Sequence, residues 1–409
     1  MENQALRGVK VLDFGWALVG ALTGRYLGDH GADVVRVESS KRPDFSRIDK
    51  GYPGLKHSAT NDLDDKPWFA QLNVSKYSMA LNLKHPRAKE VVEKLVRWAD
   101  VVNENYTPGT LDKLGFGYEH LKTLNPGIIM VSGSVYGQTG RLANEWGIDG
   151  TGVALSGRLA LTGWPDRAPV MPSSGIYGDY ILPIINTLAV VAALIRKRKT
   201  GKGEYIDASM FEVCAQQITP ALLDWQVNGR IQTRRGNCIP NAAPHGVFPC
   251  MGEDRWCAIS VFTSEEWESF KQVLGNPAWT SEHRFSTLEL RKEHEDELEQ
   301  LVSEWTQKRT AEDVMRRMQQ AGVASGVVQN GQDILEKDPH LKDRGLLAQL
   351  THPVLGTFGH QATPFKLSKT PSKLRAAPCL GEHSEFVCTN FLGMTDEEFV
   401  DLAGEGVFE

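Results

Sequence analysis

Hydrophobic and polar positions alternate between two periods over roughly the first 210 residues. Short apolar runs, rich in β-branched residues and typical of buried strands, lie at residues 9–14, 33–38, 100–105, 128–132 and 204–209. Between them, residues 20–30 and 86–99 have helical patterns, and residues 88, 91, 92, 95, 96 and 99 of the second are apolar and share one face. This alternation predicts an α/β fold with a Rossmann-like, doubly wound parallel sheet.

The pattern changes after residue 228. A hairpin-like pair of segments at 246–250 and 255–261 precedes helical patterns around 264–274, 294–308 and 310–321. We therefore predict three segments, listed here in chain order: a large Rossmann-like domain with a linker helix (1–228), a smaller α+β domain (229–330), and a return segment that completes the large domain (331–409). The linker helix is expected over 210–228, and the polar stretch 41–67, broken by prolines and glycine, is expected to form a long loop.

Composition and charge exclude several classes of function. The chain has 409 residues, a net charge of -6 and a pI near 6.0, so it presents no basic field for nucleic acid. The N-terminus does not resemble a signal peptide, and the longest apolar run, residues 180–195, is interrupted by Pro183 and Asn186 and is expected to be too short for a bilayer. Six scattered cysteines without paired spacing predict reduced thiols, no metal site and a cytoplasmic location.

The first strand–helix turn tests for a dinucleotide site. Glu38 ends the second predicted strand, where an NAD-binding acid would lie. The turn reads GWALVG from Gly15 to Gly20, so Trp16 and Leu18 stand where the dinucleotide fingerprint requires room for a pyrophosphate. The pattern is compatible with a Rossmann-like fold but excludes an NAD-dependent oxidoreductase.

Asp179 is the candidate for chemistry. It follows Gly178 and opens a long apolar helix, so its expected role is that of an N-cap. The helix N-terminus is also expected to keep this carboxylate ionised, and an ionised carboxylate in a desolvated site can attack an activated carbonyl. The local pattern alone does not choose between cap and nucleophile.

A series of ordered motifs resembles the class III CoA-transferases over essentially the whole chain. The central part is Gly178-Asp179, an apolar helix, the run RKRKTGKG at 196–203 and IDASMFE at 206–212. Further motifs, from early to late, are GADVVRVE (31–38), DKLGF (112–116), LNP (124–126), DPHL (338–341), Arg344-Gly345, Pro364-Phe365 and LGEH (380–383). The family includes formyl-CoA and carnitine CoA-transferases and the related α-methylacyl-CoA racemases.

The resemblance implies that Asp179 is the nucleophile. In that family the aspartate attacks an acyl-CoA to give a mixed anhydride, and CoA thiolate then converts it into an enzyme-bound thioester. No metal and no tightly bound cofactor is implied, and coenzyme A enters as the acyl-CoA substrate together with a free carboxylic acid. Chains of the family interlock as dimers, so we expect a homodimer or a hetero-oligomer with a homologous subunit, without nucleic acid or membrane partners.

The resemblance also implies a CoA site. Its expected members are Ala17, Leu18, Leu81, Lys84, Asn105, Tyr106, Lys113, Leu114, Tyr136 and Met210. Lys84 and Lys113 suit the phosphates of CoA, although on sequence alone either lysine could be a solvated surface charge, and Tyr136 and Met210 could be core residues. Formyl-CoA transferases have arginine where this chain has Ser39, so the phosphate contact is expected to move to Lys41 or Arg42. Where they have a glycine-rich lid, residues 236–244 read GNCIPNAAP.

Two rival functions and the substrates stay open at this point. The racemase branch uses a histidine in a Gly-His-Asp triplet, whereas this chain has Ile148 between Gly147 and Asp149, and isoleucine carries no proton. A non-catalytic subunit of a hetero-oligomer is the second rival, which Asp179 disfavours. For substrates we predict succinyl-CoA as donor and an aromatic acid such as benzylsuccinate as acceptor, as in anaerobic aromatic acid degradation. Aromatic surface for such an acid would come from Trp16, Tyr26, Trp146 and Trp164, and His245 could contact its carboxylate or be structural.

Overall fold

The computed structural model describes residues 3–49, 62–172 and 176–409. Its strands are β1 (Lys10–Asp13), β2 (Asp33–Glu38), β3 (Tyr77–Ala80), β4 (Val101–Glu104), β5 (Ile129–Ser134), β6 (Glu204–Ser209), β7 (His245–Pro249), β8 (Trp256–Ser260), β9 (Ala324–Val327), β10 (Leu347–His352) and β11 (Gly356–Gln361). Its α-helices are α1 (Val19–Asp29), α2 (Phe45–Ile48), α3 (Pro67–Leu72), α4 (Ala88–Trp98), α5 (Thr110–Lys113), α6 (Tyr118–Leu124), α7 (Asp149–Leu155), α8 (Tyr177–Thr200), α9 (Met210–Gln216), α10 (Thr219–Asn228), α11 (Ser264–Leu274), α12 (Leu288–Glu293), α13 (Glu295–Thr306), α14 (Ala311–Gln320), α15 (Pro339–Arg344), α16 (Ser384–Phe386) and α17 (Asp396–Gly404).

The described residues form two compact units. The first comprises 1–159, 171–231 and 342–409, apart from the undescribed residues within those ranges, and the second comprises 160–170 and 232–341. In the second unit, β7, β8 and β9 make a three-stranded antiparallel sheet, which packs with helices α11, α13 and α14 around an apolar cluster that includes Trp267 and Phe270.

A six-stranded parallel sheet organises the first unit, in the order β3-β2-β1-β4-β5-β6. The α/β prediction with a doubly wound parallel sheet is therefore confirmed. The strand order reverses between β1 and β4, whose residues Leu12 and Val102 lie side by side. In open α/β sheets, ligands bind beyond the carboxyl ends of the strands at such a reversal.

Apolar side chains cover both faces of this sheet. On one face, Val91 and Leu95 of α4 are fully buried in the same cluster as Leu12. On the other face, Val190 of α8 packs in a cluster with Val11 of β1. Since successive strand residues point to opposite faces, the adjacent residues Val11 and Leu12 of β1 each contribute to one of the two cores.

Helix α8 contains the longest apolar run of the chain. It spans 24 residues and includes Pro183, and among the described residues it is the one helix long and apolar enough to cross a membrane by length and composition. The expectation that residues 180–195 are too short to cross a bilayer is therefore wrong, because the helix that contains them is long enough. Its buried residues, among them Leu182 and Val190, pack in the clusters around the sheet, as in a core helix.

Two other expectations about elements need correction. The single helix expected over 210–228 is two helices, α9 and α10, because the chain turns at residues 217 and 218 and Pro220 stands in the first turn of α10, where proline is tolerated. Part of the loop expected over 41–67, residues 50–61, lies outside the described residues, and the described remainder contains α2 and begins α3.

Candidate active site

The turn between β1 and α1 is held in an unusual conformation at the carboxyl edge of the sheet. Gly15 and Gly20 touch, since a Cβ atom on Gly20 would lie 2.3 Å from Cα of Gly15. Ala17 has a φ of 48°, in the left-handed region that costs a residue with a side chain free energy. Asn105, just beyond β4, accepts a hydrogen bond from the backbone N–H of Trp16 at 2.7 Å and donates to its carbonyl at 3.1 Å.

Two buried ion pairs stabilise this turn, because the carboxylate of each accepts a backbone N–H of the turn. The Asp13 carboxylate accepts hydrogen bonds from the Gly15 N–H and from Lys76 Nζ, both at 2.8 Å. The Asp44 carboxylate accepts from the Ala17 N–H at 2.9 Å and pairs with the buried Arg36 at 2.5 Å. Burial opposes ionisation of Asp44, but Arg36 together with the hydrogen bonds from Ser46 and the Ala17 N–H outweighs burial and holds the pKa of that carboxyl below its usual value.

Glu38 belongs to the same buried network. Arg47 donates to its two carboxylate oxygens at 2.8 and 3.0 Å, and Ser78 Oγ donates at 2.7 Å. An acid so fully occupied by protein donors is structural, in agreement with the exclusion of an NAD-binding role.

Asp179 lies within the first turn of α8 and does not cap it. The helix begins at Tyr177, and the carboxylate at its N-terminus comes from Asp149, the first residue of α7. Asp149 Oδ2 accepts a hydrogen bond of 2.6 Å from the backbone N–H of Asp179, and the N–H groups of Tyr177 and Gly178 also favour its charged form. The expected N-cap role of Asp179 is therefore wrong. Residues 173–175, which precede this turn in the chain, lie outside the described residues.

The absence of a side chain at Gly178 makes this junction possible. A Cβ atom there would lie 2.6 Å from Cγ and Sδ of Met210 and 3.0 Å from Asp149 Oδ2. The Gly-Asp pair thus lets α7, α8 and α9 meet closely beside Asp179.

The pKa of Asp179 is raised, whereas the sequence predicted a carboxylate kept ionised. Burial, with the negative charge of Asp149 adding to it, raises the pKa of Asp179 to about 7. A helix N-terminus was expected to keep this carboxylate ionised, but desolvation and a like charge at close range outweigh the helix dipole. Such a perturbed carboxyl in a cleft is typical of a functional group.

A cavity of about 460 Å³ opens above Asp179, here called the Asp179 cavity. It lies against the first turn of α8, the strand end after β4 and the segment before α7. Its lining residues are Ala17, Val19, Asn105, Tyr106, Thr107, Pro108, Gly133, Ser134, Val135, Tyr136, Ala143, Asn144, Glu145, Trp146, Gly147, Ile148, Asp149, Asp179 and Met210.

A second cavity of about 350 Å³, here called the Trp16 cavity, shares Tyr106 with the first. Its basic side chains are Lys41, Arg42 and Lys84, and the Arg42 guanidinium stands 5.0 Å from the ring centre of Trp16. The other lining residues are Val37, Glu38, Ser39, Leu81, Asn82, Leu83, Thr110, Leu114 and Glu409. Together the two cavities follow the carboxyl edge of the sheet from a basic end to Asp179.

Eight of the ten residues expected to contact CoA line these cavities. Ala17, Asn105, Tyr106, Tyr136 and Met210 line the Asp179 cavity, and Leu81, Lys84, Tyr106 and Leu114 line the Trp16 cavity. Leu18 is buried in a cluster with Leu22 and Leu72, and Lys113 is exposed at the end of α5, so neither lines a cavity. The Asn105 amide is bonded to the turn backbone through both its oxygen and its nitrogen.

The side chains considered for an aromatic acceptor are dispersed. Trp16 and Trp146 line the cavities, and Trp146 is 99% exposed. Tyr26 packs in the cluster of α1, whereas Trp164 belongs to the second unit. His245, also in the second unit, is within 2.6 Å of the Asn237 carbonyl through Nδ1, which suits a structural histidine.

The roles of two residues in this site, Asp149 and Asp44, were not predicted from the sequence. Asp149 was considered only as the end of a triplet, because its partner lies 30 positions away in the chain. Asp44 falls in a segment expected to be a loop; the available signal was its position directly before Phe45 and Ser46, where aspartate commonly caps a short helix.

One group of side chains in the described residues has the spacing of a metal site. Ligand atoms of Cys238, Glu295 and Glu299 lie within 4.8 Å of one another in the second unit. Burial and the neighbouring carboxylates raise the pKa of Cys238 to about 12, and Lys292 pairs with Glu295. The thiol is thus held in its neutral form, which disfavours it as a metal ligand.

Comparison with protein families gives one match across the chain. The model of CoA-transferase family III matches residues 6–384. A succinyl-CoA–D-citramalate CoA-transferase of Chloroflexus aurantiacus is 32% identical over 403 residues, which cover 98% of both chains. A succinate–glutarate CoA-transferase of Agrobacterium fabrum is 31% identical and covers 92% of this chain and 93% of that one.

Other relatives are named as parts of an assembly. The beta subunit of a succinyl-CoA–L-malate CoA-transferase of Chloroflexus aurantiacus is 31% identical, with 98% of each chain covered. Among solved structures, a CAIB/BAIF family protein from Brucella suis superposes with a TM-score of 0.85 at 28% identity and covers 95% of this chain and 100% of that one.

Proposed function

The chain belongs to CoA-transferase family III and is a CoA-transferase, and we propose that it moves CoA from succinyl-CoA to a dicarboxylic acid through covalent intermediates on Asp179. The observation that carries this proposal is the position of Asp179, a carboxyl with a perturbed pKa at the floor of a cavity large enough for the reacting end of an acyl-CoA.

The steps use anions that the substrates and Asp179 supply. A carboxylate oxygen of Asp179 attacks the thioester carbonyl of the donor, the C–S bond breaks, and CoA leaves as thiolate. The thiolate then attacks the side-chain carbonyl of Asp179, breaks the anhydride bond and releases the donor acid. The acceptor carboxylate attacks the aspartyl–CoA thioester, and the same steps run in reverse to form the new acyl-CoA.

The two cavities support a path for CoA. We propose that Lys84, with Lys41 or Arg42, holds the phosphates in the Trp16 cavity, since these cations line it. Pantetheine would then pass Tyr106, which lines both cavities, and Ala17 and Asn105 on its way to Asp179. Leu81 and Leu114 contribute apolar contact on the way, and Tyr136 and Met210 line the reacting end. Contacts of CoA with Leu18 and Lys113 stay predictions.

The acceptor class is argued from shared chemistry. The relatives' names give citramalate, malate and glutarate as acids, and each carries two carboxylates. Benzylsuccinate, the aromatic acid predicted from sequence, shares that feature. The exposed Trp146 at the Asp179 cavity favours an acceptor with an aromatic group, which makes benzylsuccinate the bulky member of the class to test.

We propose that the chain works as a dimer. Helices α8 and α10 expose apolar side chains, namely Tyr180, Ile184, Leu188, Ile195, Leu222, Leu223, Trp225 and Val227. Large apolar side chains exposed repeatedly along a helix are typical of a surface that is covered by a partner. A second copy, interlocked as in the family, is the proposed occupant; a homologous subunit is the alternative, because some relatives are named as alpha and beta subunits. We place the enzyme in the cytoplasm, where its six cysteines, all free, would stay reduced.

A transfer assay tests the proposal. Purified protein is mixed with succinyl-CoA and a panel of acids (citramalate, malate, glutarate, benzylsuccinate and a monocarboxylate), and new acyl-CoA is measured by chromatography, with Asp179→Asn as control. CoA transfer to dicarboxylates by the wild type alone supports the proposal. Preference for the monocarboxylate would contradict the acceptor class. Exchange of the α-hydrogen of a 2-methylacyl-CoA for deuterium in the absence of any acid would favour the racemase alternative, which Ile148 disfavours.

A further inference from the structure

Asp149 and Asp179 place two carboxyl groups at one helix N-terminus. Asp149 is 6% exposed, and its Oδ2 accepts the 2.6 Å hydrogen bond from the Asp179 backbone N–H. Its own position, the first residue of α7, puts it between the N-termini of two helices, both of which favour negative charge. Burial raises the pKa of Asp149, but the backbone N–H groups of Tyr177, Gly178 and Asp179 oppose that rise, whereas burial and the charge of Asp149 both act against ionisation of Asp179. Asp149 is therefore the better stabilised anion of the two.

We propose that Asp149 is a positioning residue that fixes the first turn of α8 and, through its charge, disfavours the free Asp179 carboxylate relative to the neutral acyl adducts of Asp179. The inference rests on the proposed function of Asp179. It adds a residue and a physical role that the nucleophilic mechanism alone does not require.

The argument follows the charge through the reaction. Before attack the pair carries two negative charges. When the Asp179 oxygen bonds to the acyl carbon and the C–S bond breaks, the charge leaves on the thiolate sulfur, and the anhydride of Asp179 is neutral. The aspartyl–CoA thioester is neutral too, because the donor acid carries the charge away. In both covalent states the repulsion from Asp149 is gone, so Asp149 shifts the equilibrium toward the loaded enzyme.

Among the described residues, no positive charge offsets this repulsion at Asp179. Burial and Asp149 are what shift the pKa of Asp179, and both act in the same direction. The titratable neighbours on the elements packed here are Cys214 on α9, Arg158 after α7, Tyr177 and Tyr180 on α8, and Tyr26 on α1. Arg158 lies over the ring of Tyr177, 3.9 Å from its centre, and its charge acts on Cys214.

Charge and capping can be separated by mutation. Asp149→Asn keeps an oxygen that can accept the Asp179 N–H and removes the charge, whereas Asp149→Ala removes both. Asp149→Ser offers a second uncharged acceptor if the asparagine variant folds poorly. The matched control is Asp207→Asn, because Asp207 also accepts a backbone N–H, from Gln138 at 2.7 Å, but does not act on Asp179.

The experiment measures two quantities in each variant. The first is the acid limb of kcat/KM for succinyl-CoA between pH 5 and 9. The second is the fraction of enzyme present as aspartyl–CoA thioester, determined by mass spectrometry at a fixed ratio of succinyl-CoA to succinate. In Asp149→Asn we expect the acid limb to move down by about one pH unit and the loading equilibrium constant to fall roughly tenfold, since one pKa unit corresponds to a factor of ten. Asp207→Asn should change neither quantity.

The outcomes distinguish this inference from the proposed function. If wild-type enzyme forms no adduct on Asp179, the nucleophilic mechanism fails and the role of Asp149 fails with it. If wild type loads and Asp149→Asn, or Asp149→Ser in its place, loads equally well with an unmoved acid limb, the inference on Asp149 alone is overturned.

Discussion

The carboxylate of Asp44 accepts a hydrogen bond of 2.9 Å from the backbone N–H of Ala17 and so ties the left-handed residue of the first turn to the buried side chain of Arg36. The three residues connect a fully buried ion pair to the wall of the Asp179 cavity, which Ala17 lines. The strained turn is thus held by structure beneath it, which is the arrangement expected where backbone strain is kept at a functional site.

Removing the Asp44 carboxylate should cost both stability and substrate binding. Asp44→Ala leaves Arg36 with Glu38, at 3.6 Å, as its ion-pair partner, and breaking one side of a buried pair costs about 3 kcal/mol or more. We expect urea unfolding at pH 7 to show a loss of that size and the KM for succinyl-CoA to rise. The control is Asp401→Ala, which removes an exposed partner of Arg87 and should change stability by less than about 1 kcal/mol. Equal stability of the two variants would contradict the bracing role of Asp44.

The raised pKa of Asp179 predicts a pH profile for the enzyme. Below its pKa of about 7 the carboxyl is protonated and cannot attack a thioester. The value of kcat/KM for succinyl-CoA should therefore fall about tenfold for each pH unit below that pKa, and level off above it. Steady-state rates between pH 5 and 9 check this; a plateau that extends unchanged down to pH 5 would show that Asp179 keeps its ordinary pKa.

The raised pKa of Asp179 also predicts that the folded protein loses stability when this carboxyl ionises. The folded-state pKa of Asp179 lies above the unfolded value, so the stability contributed by its protonated form is present at low pH and is lost as pH rises through about 7. Asp179→Asn has no such loss. Its stability relative to wild type should increase by about 2–3 kcal/mol between pH 5 and pH 8, measured by urea unfolding at both values. A difference that does not depend on pH would contradict the shift.

Glu409 is expected to compete with the phosphates of CoA. Its carboxylate accepts from Ser39 Oγ at 2.8 Å and pairs with Lys41, and all three residues line the Trp16 cavity. Because Lys41 is largely exposed, the pair is weak, and Glu409→Gln should lower the KM for succinyl-CoA by up to about fivefold. Lys41→Ala is the reciprocal variant and should raise it. An unchanged KM in both variants would place the phosphates elsewhere.

The four central strands of the sheet, β2, β1, β4 and β5, could be predicted from sequence because they are short runs rich in apolar residues and are buried on both faces. Strand β3, with the sequence YSMA, was not anticipated, since it carries a polar residue and lies at the sheet edge. Asp179 could be identified as a candidate through the motif around it, but not its environment. The hydrogen bond that Asp149 accepts from the Asp179 N–H joins residues 30 positions apart, and the one that Asp44 accepts from the Ala17 N–H joins residues 27 positions apart. Only the folded chain brings these residues together.

The covalent role of Asp179 is tested most directly by trapping. Wild-type protein is incubated with succinyl-CoA and no acceptor, treated with hydroxylamine or borohydride, digested and analysed by peptide mass spectrometry, with Asp179→Ala treated in parallel. The account predicts a modification on the peptide that contains Asp179 and none in the variant, which should also lose roughly 10³-fold or more in activity. An unmodified Asp179 peptide, or full activity in Asp179→Ala, would contradict it.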